Sequence, residues 1–267
     1  MILDRRSLIV ACMLALWSGQ FSGAETAPPS YQLLVLDGHE LKWGQPVLGT
    51  GAVVTYSLVP TEVHFARARN CAGIAPIEPL LSANRIDAAV FWAELRQAFG
   101  AWQSVVGIDF LPGDPATADI LIGVETEPKG KAYTNVTFDE RTTEPGARSI
   151  SRALICLNPA ERWKIGFDGN LNVYDLRYTL MHEIGHAIGL DHPEKREALM
   201  YVDYEEKFRA PQSGDIHGAA TLYGPASPGS AVASMPKRAF TPDAWKEWVE
   251  LGFHLNGGSA AQDQLRR

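Results

Sequence analysis

Residues 182–192 read His-Glu-Ile-Gly-His-Ala-Ile-Gly-Leu-Asp-His. Positions four apart on an α-helix lie one turn apart on one face, so His182 and His186 can reach a single ion together. Glu183 stands beside His182 and can hold a water without being a ligand itself. Gly189 is where such a helix should stop, because glycine enters the left-handed conformation at little cost and turns the chain sharply. That turn lets His192 return to the same ion from outside the helix. Three neutral imidazoles leave a fourth tetrahedral position open, as a catalytic zinc site requires. The chemistry implied is hydrolysis. A metal in this site lowers the pKa of a bound water and polarises a carbonyl, and Glu183 takes the water's proton and passes it to the leaving amine. The competing reading is a core helix with incidental histidines. Three histidines, a glutamate and a glycine at these spacings weigh heavily against it.

Several elements must hold these residues in place. Asn172 onward reads as helical through Leu190, and this is the segment that carries the motif. Arg85 to Val106 reads as a second helix, with Ile86, Ala89, Val90, Ala93, Phe99, Trp102 and Val106 at three- and four-residue spacings, a stripe that reads as core packing. Ala52–Val59 is rich in β-branched residues and reads as a strand. Ala118–Val124 is a short apolar run that suits a buried strand. Lys131–Phe138 and Arg152–Leu157 are further strand candidates.

The ends of the chain read differently. Arg5 and Arg6, the apolar run Leu8–Trp17 and the small residues Ser22-Gly23-Ala24 have the form of a signal peptide, residues 1–24, cut near Ala24. An uncleaved N-terminal anchor is the alternative. Residues 25–40 make a short lead-in. Residues 225–240 form a linker, with small residues and prolines from 225 to 236. Thr241–Leu255 then reads as a helix with Trp245, Trp248 and Phe253 on one face, within a terminal segment 241–267. The destination is secreted or periplasmic, with no membrane association after cleavage. In that setting Cys71 and Cys156 remain as an even pair, either bridged or as two buried thiols. A formal net charge of −7 argues against a nucleic-acid binder, which normally presents a basic face. The sequence sets no oligomeric state.

The extended HExxHxxGxxH pattern is the signature of the metzincins. Ala198-Leu199-Met200-Tyr201 follows closely and supplies the methionine turn of that class. The chain resembles the matrixin family over residues 41–224. Lys42-Trp43 with Val54-Thr55-Tyr56, then Phe99 and Trp102, then Ala118-Asp119-Ile120, and finally Asp215-Ile216 with Leu222-Tyr223-Gly224 follow the family's order. The resemblance implies an α+β metzincin-type zinc peptidase domain. Such a domain has a twisted mixed β-sheet, two long helices, one of them bearing HExxH, and a C-terminal subdomain. It implies an endopeptidase acting on protein or peptide substrates, with Glu183 catalytic and one zinc on His182, His186 and His192. Met200 would form an apolar floor. Tyr204 would wall the primary specificity pocket, with Glu205–Ser213 as its far loop. Gly130–Thr134, including Ala132, would be the edge strand above the cleft.

The chain also departs from the family. Pro193 is more serralysin-like. Residues 131–158 hold no histidine for a structural zinc, and Cys156 stands where one would be, so a second zinc is not expected. Asp168-Gly169-Asn170 is either an oxygen-rich calcium loop or an ordinary turn. Tyr201 is either structural or a transition-state donor. Too few residues precede Trp43 for an inhibitory prodomain, and Cys71 lies too late to act as its thiolate switch. A catalytically idle zinc-binding module used for adhesion or inhibition is the competing function. Glu183 argues against it.

Overall fold

The computed structural model describes residues 30–66, 68–140 and 146–226. The expected signal peptide, the linker beyond Ala226 and the C-terminal helix lie outside these residues. The chain opens with three short strands, β1 (Gln32–Leu33), β2 (Val35–Leu36) and β3 (His39–Lys42). β4 (Ala52–Leu58) alternates between the core and the opposite face, as its β-branched pattern requires. A small hairpin, β5 (Val63–His64) and β6 (Gly73–Ala75), leads into two helices, α1 (Glu78–Asn84) and α2 (Ala88–Gln103). Then follow β7 (Ile108–Pro112), β8 (Ile120–Glu125), β9 (Ala132–Phe138) and β10 (Arg148–Leu157). The short β11 (Trp163–Lys164) and β12 (Tyr174–Asp175) precede α3 (Leu176–Ala187), β13 (Leu190–Asp191) and α4 (Ser213–Tyr223).

The molecule is α+β, built on a mixed sheet. β4, β7, β8 and β10 run parallel, and β8 is buried at every position, as the short apolar run Ala118–Val124 predicts. β9 lies antiparallel to β10, and β10 is its strand partner. α2 and α3 cross the sheet and meet each other. Trp102, fully buried, donates its indole N–H to the Met181 carbonyl at 2.9 Å. Arg177 grips the Glu94 carboxylate with two guanidinium nitrogens, one at 2.9 Å. One indole hydrogen bond and one charge-assisted fork thus fix the rotation of α3 against its neighbour.

The element boundaries differ from the sequence reading in ways that capping explains. The helix predicted over Arg85–Val106 covers Ala88–Gln103. Asp87 caps it by accepting the backbone N–H groups of Ala89 and Val90. Val90, placed on the apolar stripe from the sequence, is instead 41% exposed. α1 is a separate helix of about two turns that carries Pro79 in its first turn and ends at Arg85 in the left-handed conformation. α3 begins at Leu176 rather than Asn172, because Asp175 accepts the Tyr178 N–H as N-cap and Tyr174–Asp175 pairs with Trp163–Lys164.

Cys71 and Cys156 are joined by a disulfide. They sit in their own small apolar cluster with Val59, Ile74, Ala118, Leu121 and Leu154.

Candidate active site

α3 must end abruptly for His192 to return, and three contacts arrange this. Gly189 adopts φ +99°, and a Cβ there would sit 2.1 Å from the Leu41 carbonyl oxygen. The freed carbonyls at the helix end are taken by buried donors. Trp43 gives its indole N–H to Ala187 at 2.7 Å, and Tyr223 gives its hydroxyl to Ile188 at 2.8 Å. The N-terminal strand and the closing helix thereby shape the turn that the sequence motif needs.

His182 and His186 project from one face of α3. Each has its Nδ1 on a backbone carbonyl, that of Leu199 at 3.0 Å and that of Leu190 at 2.9 Å. A carbonyl can only accept, so each Nδ1 carries the proton and each Nε2 presents a lone pair. His192 Nε2 lies 3.1 Å from both of those Nε2 atoms. With one ring proton at most, His192 cannot donate to both, and the convergence of three ring nitrogens suits a shared cation. Burial lowers the pKa of all three, that of His186 to about 4; repulsion from neighbouring imidazoles adds to this at His182 and His186, while Asp191 opposes it at His192. They are therefore neutral at physiological pH, as metal ligands must be. Among the described residues these three form a group able to hold a metal ion.

Glu183 lies on the same helix, buried at 5% exposure. Burial pushes its carboxyl up to about 7, and a hydrogen bond from Thr134 opposes that rise. Thr134 Oγ1 reaches both the Glu183 carboxylate (2.8 Å) and its carbonyl oxygen (2.9 Å). This residue of β9 was not singled out from sequence. No local signal marks a hydroxyl that meets its partner 49 positions away.

Met200 packs under the helix. A Cβ on Gly185 would come within 2.2 Å of the Met200 sulfur, so the motif's first glycine is the space that the methionine fills. The Met200 segment is pinned by Asp215, which is buried. Its carboxylate accepts the backbone N–H groups of Leu199 (2.8 Å), Met200 (3.1 Å) and Gln212 (2.7 Å). Leu199 in turn holds His182, so Asp215 supports a histidine it does not touch. The sequence placed Asp215 in the closing helix but could not assign it this role. Replacing Asp215 with Ala orphans three backbone donors, two of them buried. It should cost about 3 kcal/mol or more and weaken metal retention at the histidine group about 10–100-fold. Denaturant unfolding and competition with a chromophoric chelator measure the two effects, and wild-type values in both would refute the role.

The site opens into a cleft of about 450 Å³. Tyr204 and Tyr178 line one end and Ala132 lines the β9 side. The Tyr204 hydroxyl accepts the Asp175 N–H at 2.8 Å and donates to Glu206 at 3.1 Å, while its ring packs edge-on against Tyr174 and Tyr178. Tyr201 also faces the cleft, with the Arg196 guanidinium over its ring. The Asp168-Gly169-Asn170 segment is a turn: Asp168 accepts the Asn170 N–H, and the Lys164 ammonium bridges Asp168 and Glu206.

The family model described as matrixin matches residues 79–224. The chain is 32% identical over 189 residues to human matrix metalloproteinase-20, covering 68% of this chain and 36% of that protein. It is 32% identical over 146 residues to human matrix metalloproteinase-19, covering 51% and 26%. It is 31% identical over 140 residues to metalloendoproteinase 4-MMP of Arabidopsis thaliana, covering 48% and 39%. The matched region thus spans about a quarter to two-fifths of these relatives' lengths.

Proposed function

Since the chain belongs to the matrixin family, we propose that it is a secreted zinc-dependent endopeptidase, with His182, His186 and His192 holding one zinc and Glu183 as general base. The observation that carries this reading is the convergence of three Nε2 lone pairs beside a buried carboxylate, in a cleft bordered by an edge strand. Zinc, when bound, supplies Lewis acidity for the attacking water and the scissile carbonyl.

The protein's own residues do the rest. Glu183 accepts the water's proton and returns it to the departing amine nitrogen, which requires a basicity near neutral. Burial supplies that basicity, and the Thr134 hydroxyl aims the carboxylate. An extended substrate pairs with the free edge of β9 around Ala132 by strand addition. Tyr204, rigidly held at its hydroxyl, walls the pocket for the first side chain beyond the cut, and its aromatic surroundings favour an apolar one. Residues 41–224 form the catalytic domain. The signal-like segment near Ala24 and the disulfide, which persists in oxidising compartments, both support secretion.

The test is a broad pool of unstructured peptides incubated with zinc-loaded protein, with new N-termini read by mass spectrometry. Internal cleavage that a chelator abolishes and added zinc restores is expected. A tightly bound zinc with no cleavage anywhere in the pool would favour an idle binding module instead.

A further inference from the structure

The cleft is not open along its whole length. β9 runs from the Tyr204 end, near Ala132, toward Val136, and its free edge is where a substrate would pair. From the level of the catalytic centre onward that edge is already partly taken. Asn70 donates its side-chain N–H to the Thr134 carbonyl at 3.1 Å. The Asn135 side-chain oxygen accepts the backbone N–H of Arg69 at 2.7 Å, and that of Asn70 at 3.4 Å. Cys71, the next residue, is bonded to Cys156, which faces Tyr133 across the β9–β10 ladder. One covalent bond and three hydrogen bonds thus hold residues 69–71 against the strand.

A second contact reaches across from the other wall. The Arg69 guanidinium meets both carboxylate oxygens of Asp37 at 2.9 Å, and Asp37 sits at the turn between β2 and β3. Leu36, Arg69 and Val136 border both the catalytic cleft and a second hollow further along β9. The Asp37–Arg69 pair therefore stands between two stretches of one groove.

We propose that Asn70 and the Asp37–Arg69 pair form a bar that ends the substrate groove on the N-terminal side of the scissile bond. This rests on the endopeptidase reading above. A substrate antiparallel to β9 places its N-terminal half toward Val136. Thr134 is level with Glu183 through its hydroxyl, and Val136 is two residues further, about 7 Å at strand spacing. Asn70 holds the Thr134 carbonyl, so the stretch from there to the Asp37–Arg69 pair seats about two residues before the cut without a full backbone ladder. Longer N-terminal extensions leave the strand for solvent and add no affinity. Recognition is carried by the C-terminal half, at Ala132 and Tyr204.

A ladder of fluorescent peptides tests this. All share one C-terminal half and carry from one to six residues before the cleaved bond. For wild-type protein, kcat/KM should climb to two residues and then stay level. An Arg69→Ala, Asn70→Ala double variant should keep the short-peptide rates and gain about tenfold on the longer ones, as a newly opened edge pairs with them. The Asp37–Arg69 pair is solvent-exposed, so its loss should leave the fold intact, which a melting curve checks. If the variant does not fold, the wild-type ladder alone decides. Anisotropy with Glu183→Ala protein gives the same length dependence without turnover. An affinity plateau at two residues with no cleavage by wild-type protein would refute the peptidase reading and leave the bar standing. Rates or affinities that keep rising to six residues would overturn the bar.

Discussion

Exchanging Glu183 for Gln or Ala should lower peptide cleavage by on the order of 10²–10⁴-fold or more, the usual worth of a positioned general base, while zinc stays bound. The separation of the two effects follows from the geometry. The three histidine Nε2 atoms converge without any contribution from Glu183, and their Nδ1 atoms are oriented by the carbonyls of Leu199 and Leu190. The carboxylate instead contacts Thr134. The Gln variant is the sharper comparison, because it keeps the shape and can still accept from Thr134 while losing basicity. Steady-state kinetics with metal analysis on the same samples measure both effects. Near-normal turnover would place the base elsewhere. Loss of zinc from the Gln variant would show that the carboxylate supports the metal as well.

Removing the Cys71–Cys156 bridge should cost about 4–5 kcal/mol in the chain-entropy model. The bonded residues are 85 positions apart, and the loop they close includes α1, α2, β7, β8 and β9. For a domain of this size such a loss should lower the melting midpoint by roughly 10–15 °C. Both sulfurs are buried in an apolar cluster, so serine at either position also places a hydroxyl among Val59, Ile74 and Leu154. Alanine is therefore the cleaner replacement. Melting of the oxidised protein, of the reduced protein and of the Cys71→Ala, Cys156→Ala double variant would measure the effect. Equal midpoints in all three, or two freely alkylated thiols in unreduced protein, would contradict it.

The histidine motif was legible because its logic is local. Helical spacing, one glycine and a short return segment bring His182, His186 and His192 together within eleven residues. The β-branched run of β4 and the apolar run of β8 were legible for the same reason. The supports of the site were not. Thr134, Asp215 and Trp43 act through hydrogen bonds to residues 15 to 144 positions away, and nothing in their neighbours announces those partners. The cysteine pair was visible as two residues, but their meeting depends on β10 lying beside β8 and on a hairpin carrying Cys71 back over it. The errors at helix ends have a different source. Asp87 and Asp175 are ordinary N-cap residues in plain view, but the apolar spacing extended past both of them.

The most direct test of the account is peptide cleavage measured against zinc content, on protein stripped with chelator and reloaded in steps. Activity should rise in proportion to bound zinc and level off at one ion per chain. Undiminished cleavage by zinc-free protein would contradict the central claim.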